Sequence, residues 1–310
     1  MLFRSKDALI ARNLAPSAGL TGSVFQNLGS VKNWGTEMGL NLAVVEGSKV
    51  DFDVRLTAAT LKNRIEDLGV DIAPIQLNRG RQQHREGFSA GGYFATPIRY
   101  DDANGDGKLS TAEVFVDSSK FLIVPDDAGG LDTLNVAYVG PLLPTSTQGL
   151  SLDLTLFRNV TITSVFERRA GNRQMNETEF FRCRTQHSNP FFGFCGALAD
   201  PNASLEAQAA FIGSQFAQFG ATPYGYMEDA SFVKWRELTV RFGVPESMGA
   251  RMGILRGASV SLSGRNLRTW TDYTGLDPEI NEAGGNNFTQ AEFNTQPPVR
   301  TFNLRFDFQL

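Results

Sequence analysis

The chain has 310 residues, a formal net charge of −4, 41% apolar residues and 24 phenylalanines. At 20% charged residues the composition excludes a disordered chain, and without a basic stripe it offers no footing for nucleic acid. No stretch approaches about 20 consecutive apolar residues, so no transmembrane helix is read, and the opening MLFRSKDALIARNL lacks the apolar core of a signal peptide.

Strand signals recur along the chain. GLNLAVVEG carries Leu40, Leu42 and Val44 in phase. In KVDFDVRLTAATL, Val50, Phe52, Val54 and Leu56 alternate with Asp51, Asp53, Arg55 and Thr57. GLSLDLTLF sets Leu150, Leu152, Leu154 and Leu156 against Ser151, Asp153 and Thr155. WRELTVRF sets Leu238, Val240 and Phe242 against Glu237, Thr239 and Arg241; GASVSLSGRNL continues with Ala258, Val260 and Leu262 against serines. The last segment, RTFNLRFDFQL, alternates Phe302, Leu304, Phe306, Phe308 and Leu310 with Asn303, Arg305, Asp307 and Gln309.

Period-two alternation means strands with one apolar and one polar face, a pattern that a soluble sandwich shares. Three features favour a membrane barrel. Full charges sit in mid-strand; the apolar runs fit strands of about 9–11 residues crossing a bilayer at a tilt; and turns such as VEGSK and FRN are short, whereas 65–133 and 170–228 are long and carry little alternation. Outer-membrane barrels pair short turns on one side with long loops on the other. A terminal strand that closes a ring needs no tail, because unpaired backbone groups in hydrocarbon cost several kcal/mol each. The expected fold is all-β and antiparallel: about eight to ten strands of a transmembrane barrel, long external loops and minor helix. Asp51, Asp53, Arg55, Asp153, Glu237, Arg241, Arg305 and Asp307 are then lumen-facing. Taken by itself, the segment is expected to form a curved open sheet with two unpaired edges.

Within the loops, NASLEAQAAFIGSQFAQFG (202–220) reads as a helix, with Asn202 or Ser204 as cap and Gly220 as terminator. Cys183 and Cys195 are either two separate buried thiols or a local disulfide in an oxidising compartment; His187 alone cannot complete a zinc site with them. DANGDGKLSTAE has the spacing of a calcium loop: Asp102, Asn104 and Asp106 converge, Gly107 permits the sharp turn, Lys108 offers its carbonyl and Glu113 closes the far side. The alternative is an Asx-rich turn that holds no ion. Nothing else requires a cofactor. His84 and His187 lie in separate polar loops, no nucleophile elbow or zinc helix is present, and no enzyme is expected. Trp270 and Tyr273 suit an interfacial aromatic girdle or stacking on a sugar; Phe191, Phe192 and Phe194 suit a self-packed loop or a partner contact.

Several stretches together resemble one family. MEDASFVKWRELTVRFGVPESM, SLSGRNLRTWTDYTGLDPEIN and RTFNLRFDFQL resemble the carboxy-terminal strands of SusC/RagA-like TonB-dependent outer-membrane transporters. Gly264 to Asp277 follows the family's SGRNLFTWTDYTGLDPE stretch, with Arg268 where an apolar or aromatic residue is usual. NLGSVKNWGTEMGLNL and REGFSAGGYFATPIRYDDANGDGKLS extend the resemblance upstream, so that it runs from about Ser23 to Leu310. It implies a 22-stranded barrel with an amino-terminal plug, a SusD-like surface lipoprotein as lid, energy from TonB and import of oligosaccharides or peptides across a Gram-negative outer membrane. Plug and TonB box are not found here. The chain is therefore expected to be the carboxy-terminal part, 23–310, of a larger multi-pass barrel protein embedded in outer-membrane lipid, with TonB engaged by the missing part. Residues 1–22 are read as a truncated start, Met1–Ser5 as outside the native fold. The lumen-facing residues would contact the plug first. The rival reading is a soluble or surface-attached, calcium-stabilised β protein that binds glycans, with its strands packed as two sheets.

Overall fold

A computed structural model describes residues 2–6, 9–13, 23–27, 29–69, 73–125, 130–185, 195, 197, 200–244, 257–283 and 289–309. Its dominant feature is one antiparallel sheet of seven strands: β1 (Glu37–Val45), β2 (Val50–Thr60), β3 (Ser146–Leu156), β4 (Val160–Ala170), β5 (Phe232–Gly243), β6 (Gly257–Thr271) and β7 (Thr301–Gln309). Spatial order follows chain order, so the sheet is a meander. The alternation fixes the register, because a slip of one residue would carry every side chain to the other face. Phe52, Leu154, Ile162, Val240, Leu262 and Leu304 consequently lie in one row across β2 to β7.

The β1–β2 hairpin is prolonged by Ser30–Trp34 paired with Lys62–Asp67, and Leu2–Lys6 adds a third strand there. At the join, the Thr60 amide donates to the Thr36 carbonyl at 2.8 Å. Gly35 makes this close approach possible, since a Cβ there would lie 1.8 Å from the Thr60 carbonyl oxygen. Leu9–Asn13, within the segment read as a truncated start, pairs with Ser23–Asn27, just beyond it, in a separate hairpin.

Long and short connections alternate. β1–β2 and β3–β4 are joined by short turns; the three long connections follow Lys62–Asp67, β4 and β6, and leave the same end of the sheet. They are not structureless. Short strands and two helices, α1 (Glu177–Thr185) and α2 (Leu205–Gln215), fold them into a common cap. Ser204 Oγ accepts the Ala207 amide at 3.2 Å and so caps α2, while Gly220, at φ +73°, closes the 3-10 turn that follows. In α1, Glu177 and Glu179 in the first turn and Arg182 and Arg184 in the last complement the helix dipole.

Among the described residues the packed apolar clusters belong to these connections and to the hairpin extension they leave from. One gathers Tyr93, Met175, Phe180, Cys183, Cys195 and Tyr226; a second gathers Ile98, Val114, Ala209, Ile212 and Phe219; a third gathers Ile65, Leu68 and Ala90. Among the described residues no apolar cluster lies beneath either face of the large sheet.

Candidate functional site

The two faces of the sheet differ in chemistry. Leu262, Phe302, Leu304, Phe306 and Phe308 are 53–67% exposed on one face, and none of the described residues covers them. Burying a side chain of this size is worth about 1.5–3 kcal/mol, so facing water would forgo on the order of 5–10 kcal/mol on β6 and β7 alone. A two-sheet sandwich would have filled this face. The opposite face holds all eight residues read as lumen-facing. Asp53 stands opposite Asp153, Asp51 opposite Thr155, Arg55 opposite Ser151, Arg241 and Arg305 on either side of Ser261, and Asp307 opposite Ser259. Neighbours bond several of them: Arg55 Nε donates to Asn41 Oδ1 at 2.9 Å, Thr163 to Asp153 at 2.7 Å, and Arg265 pairs with Glu237 at 3.2 Å, as Arg305 does with Asp307 at 2.6 Å. Among the described residues, β1 and β7 each have a sheet neighbour on one edge only.

Where the sheet meets the cap, an ion network fastens the third connection to β4 and β5. A bulge at Trp235/Glu237 adds Arg236 as an extra residue. Lys234, 4% exposed, donates to both carboxylate oxygens of Asp277 at 2.7 Å and to Glu279 at 2.6 Å. Arg236 grips Glu279 with two nitrogens, at 2.7 and 2.6 Å, and reaches Glu167; Arg169 pairs with Glu167 and Glu279. Burial pushes the Glu279 carboxyl up, but the bonds from Arg236 and Lys234 outweigh it and hold the group at about 2. Lys234, Arg236, Asp277 and Glu279 lie in the stretches FVKWRE and LDPE, and Glu167 and Arg169 join them from β4, so the two stretches anchor the cap.

Deeper in, a polar seam joins all three connections. Gln290 donates to Gln174 at 2.6 Å, its amide donates to Gln82 at 2.9 Å, and Tyr93 donates to the Gln290 carbonyl at 2.6 Å. Arg81 pairs with buried Glu177, and Thr178 donates to buried Glu292 at 2.6 Å. No sequence periodicity marks these residues.

A cleft of about 670 Å³ opens in the cap between α2, Met227–Asp229 and the start of the third connection. That size is typical of small-molecule sites. Tyr100, Tyr138, Tyr224 and Tyr226 contribute to its lining, with Glu179, Glu206, Glu228, Asp229, Asp272, Lys120 and Arg173 as its charged groups. Glu228 accepts the Thr274 amide and hydroxyl, both at 2.7 Å; burial raises its pKa, and the charge of Glu292 adds to the rise.

The loop 102–113 sits on the outside of α2. Asp102 accepts the Gly105 and Gly107 amides at 3.0 Å, Asp106 accepts that of Lys108 at 2.7 Å, and Glu113, its pKa lowered, accepts the Ser110 amide and hydroxyl at 2.8 Å. Gly107 takes φ +75°, the sharp turn that the calcium-loop pattern requires. Asp102, Asp106 and Glu113 are not gathered within 4.8 Å of one another. The donor types suit a hard cation, and the carboxylates are turned to the loop's own amides. Gln208 of α2 clamps the loop, donating to the Gly107 carbonyl at 3.0 Å and accepting the Leu109 amide at 2.8 Å.

Cys183 and Cys195 are bonded to each other in the cap core. Glu179 lies close to both, but their sulfurs are spent on the disulfide. His84 Nδ1 accepts the Gly91 amide at 3.1 Å, and burial lowers its pKa. Trp270 is exposed beside Arg268, whereas Tyr273 is buried in the cap, so the two do not share a girdle. His187, Phe191, Phe192, Phe194 and Leu310 lie outside the described residues.

No family model matches the chain. Two curated relatives from Formosa agariphila do: TonB-dependent receptor P3, 25% identical over 97% of this chain, and TonB-dependent receptor P26, 24% identical over 91%. The chain is similar to TonB-dependent receptors. It spans 31% and 29% of the length of these two relatives. Among solved structures, the RagAB peptide transporter superposes with a TM-score of 0.71 at 20% identity, over 99% of this chain and 32% of that one. The RagAB peptide importer in its open-open state gives 0.70 at 19% identity, over 100% and 32%. The receptor-like fold is thus the all-β, antiparallel arrangement expected from the alternation.

Proposed function

We propose that this chain is the carboxy-terminal part of the wall and outer cap of an outer-membrane importer, one that takes up oligosaccharides or peptides with energy from TonB and with a SusD-like lipoprotein over its mouth. The observation that carries this reading is the sheet with a bare apolar face and an ion-laced opposite face. Lipid satisfies the first and a wet lumen the second. The open edges of β1 and β7 would pair with further wall strands, because backbone groups in hydrocarbon must be satisfied. The lumen-facing row, from Asp51 to Asp307, would contact a plug. The reading contains no catalytic step. In the loop 102–113, calcium would draw in the oxygens of Asp102, Asn104, Asp106 and Glu113 with the Lys108 carbonyl, and would stiffen the outer side of α2.

The soluble, glycan-binding alternative needs the apolar faces packed together, and Phe306 at 55% exposure speaks against it. Two neighbouring substitutions test the choice. Leu304→Arg, on the apolar face, should cost about 2–4 kcal/mol near the bilayer midplane and abolish folding into lipid vesicles, read as loss of the heat-modifiable band on gels. Asn303→Arg, on the other face, should fold normally. Equal behaviour of the two, or a wild-type protein soluble without detergent, would overturn the importer reading.

A further inference from the structure

We propose that the outer side of the hairpin extension binds a phosphorylated glycolipid of the outer leaflet, with Lys32, Lys62 and Arg64 on its phosphate and the adjoining recess on its sugar. As a membrane-lipid site this rests on the importer reading, which sets the depth of these residues in the bilayer.

Their placement follows from register. In β1–β2, Leu42 stands opposite Val54 and Leu40 opposite Leu56; in the extension the same register sets Trp34 opposite Lys62 and Lys32 opposite Arg64. Thr36 and Thr60, whose hydroxyls bond at 2.8 Å, bridge the two parts. Counted by twos, the apolar row of the wall therefore runs on into Trp34 and the three cations. The alternate positions of the extension turn to the cap: Val31 and Ile65 pack with Leu68 and Ala90, and Asn63 accepts the Ala90 amide at 2.7 Å. From Val50 to Lys62 a strand tilted by about 45° climbs about 28 Å along the membrane normal, against an apolar band about 25 Å tall. Trp34 and Lys62 thus reach the interface, where tryptophan concentrates. Lys32 and Arg64 stand roughly 5 Å further out, at headgroup level.

Two independent observations point to the ligand. The first is charge. Lys32 and Arg64 are direct cross-strand neighbours, and Lys62 lies two residues from Arg64 on the same side. Like charges so arranged repel. Among the described residues that line this patch and the recess, Glu66 is the one carboxylate against three cations. Lys32 leans on the Trp34 ring, 5.5 Å from its centre, a contact that holds an ammonium without neutralising it. A phosphate would relieve the repulsion, and the exposed Arg64 guanidinium can grip it with two nitrogens.

The second is shape. Beside Lys62 and Arg64 opens a recess of about 320 Å³, lined by Trp34, Leu61, Phe88, Tyr138, Pro141 and Leu143. Leu61, whose amide donates to the Thr145 carbonyl at 2.9 Å, places it just past the Thr36–Thr60 pair, above the apolar row. An aromatic, apolar hollow at headgroup depth suits the flat C–H face of a sugar ring, because acyl chains lie below it. A plain phospholipid would use the cations and leave the recess empty; a neutral glycolipid would fill the recess and leave the cations repelling. A sugar that carries phosphate answers both.

Native mass spectrometry of the purified protein in detergent tests this. Three lipids are offered at equal mole fraction: lipid A with its phosphates, the same lipid A dephosphorylated, and phosphatidylglycerol. Phosphorylated lipid A should be retained at least tenfold over either control. The Lys32→Gln/Lys62→Gln/Arg64→Gln triple variant should lose that preference, whereas Lys49→Gln, at the short-turn end of the same hairpin, should keep it. The comparison of lipids needs no variant, so it decides the matter even where the triple variant fails to fold. Equal retention of dephosphorylated lipid A, equal retention of phosphatidylglycerol, or an unchanged triple variant would overturn the inference. Insertion into phosphatidylcholine vesicles, which carry neither sugar nor net charge, reports separately on the importer reading. A protein that inserts yet does not discriminate among the lipids sinks only the site; one that discriminates but never inserts sinks only the importer.

Discussion

Replacing Lys234 by methionine removes one ammonium while nearly conserving side-chain volume. Among the described residues Lys234 is the only cation paired with Asp277, a residue itself 8% exposed. Glu279 would keep Arg236 and Arg169, so the damage falls on Asp277 alone. Removing one partner of a buried pair costs about 3–5 kcal/mol. The lower end, about 3 kcal/mol, applies here, because the Glu279 amide still donates to Asp277 at 2.8 Å. That corresponds to roughly a hundredfold rise in the opening equilibrium of the anchored segment. Amide hydrogen exchange over residues 277–292 measures it directly, with the strand amides of β3 as internal reference. Adding Asp277→Asn removes the orphaned charge, so the double variant should recover more than half of the loss. Less than a tenfold change in the single variant, or simple additivity in the double, would refute the account of the anchor.

The same anchor should fail in acid: because Glu279 is held at about 2 against an ordinary 4.5, its contribution, about 2 kcal/mol allowing for solvent screening, is complete above pH 4.5 and is lost as pH falls toward 2, which cap exchange rates across that range would follow. Replacing both Cys183 and Cys195 by serine should destabilise the cap by about 3 kcal/mol in the chain-entropy model and quicken tryptic cleavage at Arg182 and Arg184, leaving the sheet intact; an unchanged cleavage rate would count against it. Calcium titrated calorimetrically should bind the wild-type protein, and Asp106→Asn should weaken that binding at least tenfold; no heat with the wild type would reduce 102–113 to an Asx turn.

The wall was legible because a strand with unlike faces writes its period into the sequence. Leu150 to Leu156 and Phe302 to Phe308 fall in register as the alternation implies. The helix over 202–220 was legible from its cap and terminator, although it ends early, at Gln215, and a 3-10 turn follows. The cap was not. Its strands are mostly three or four residues long, too short to show a period, and partners such as Gln82 and Gln290 find each other only through the fold. α1 was missed because its sequence, ETEFFRCRT, has no clean apolar stripe. Lys234, Asp277 and Glu279 show their charge in the sequence, but Asp277 and Glu279 lie 43 and 45 residues from Lys234 and only the fold brings them together. Tyr273 stands close to Trp270 in sequence, but the strand ends at Thr271 and the chain turns inward.

The wide sequence separations across the polar seam also set an order of events in time. Wall strands that are neighbours in the sheet are neighbours in chain order, whereas the bond between Gln290 and Gln82 spans 208 residues. Contacts that close so long a loop form late, because chain entropy must be surrendered before they reward it. Local strand pairs are therefore expected to close before the seam, and a chain halted before residue 290 would lack the bonds by which Gln290 ties the three connections together.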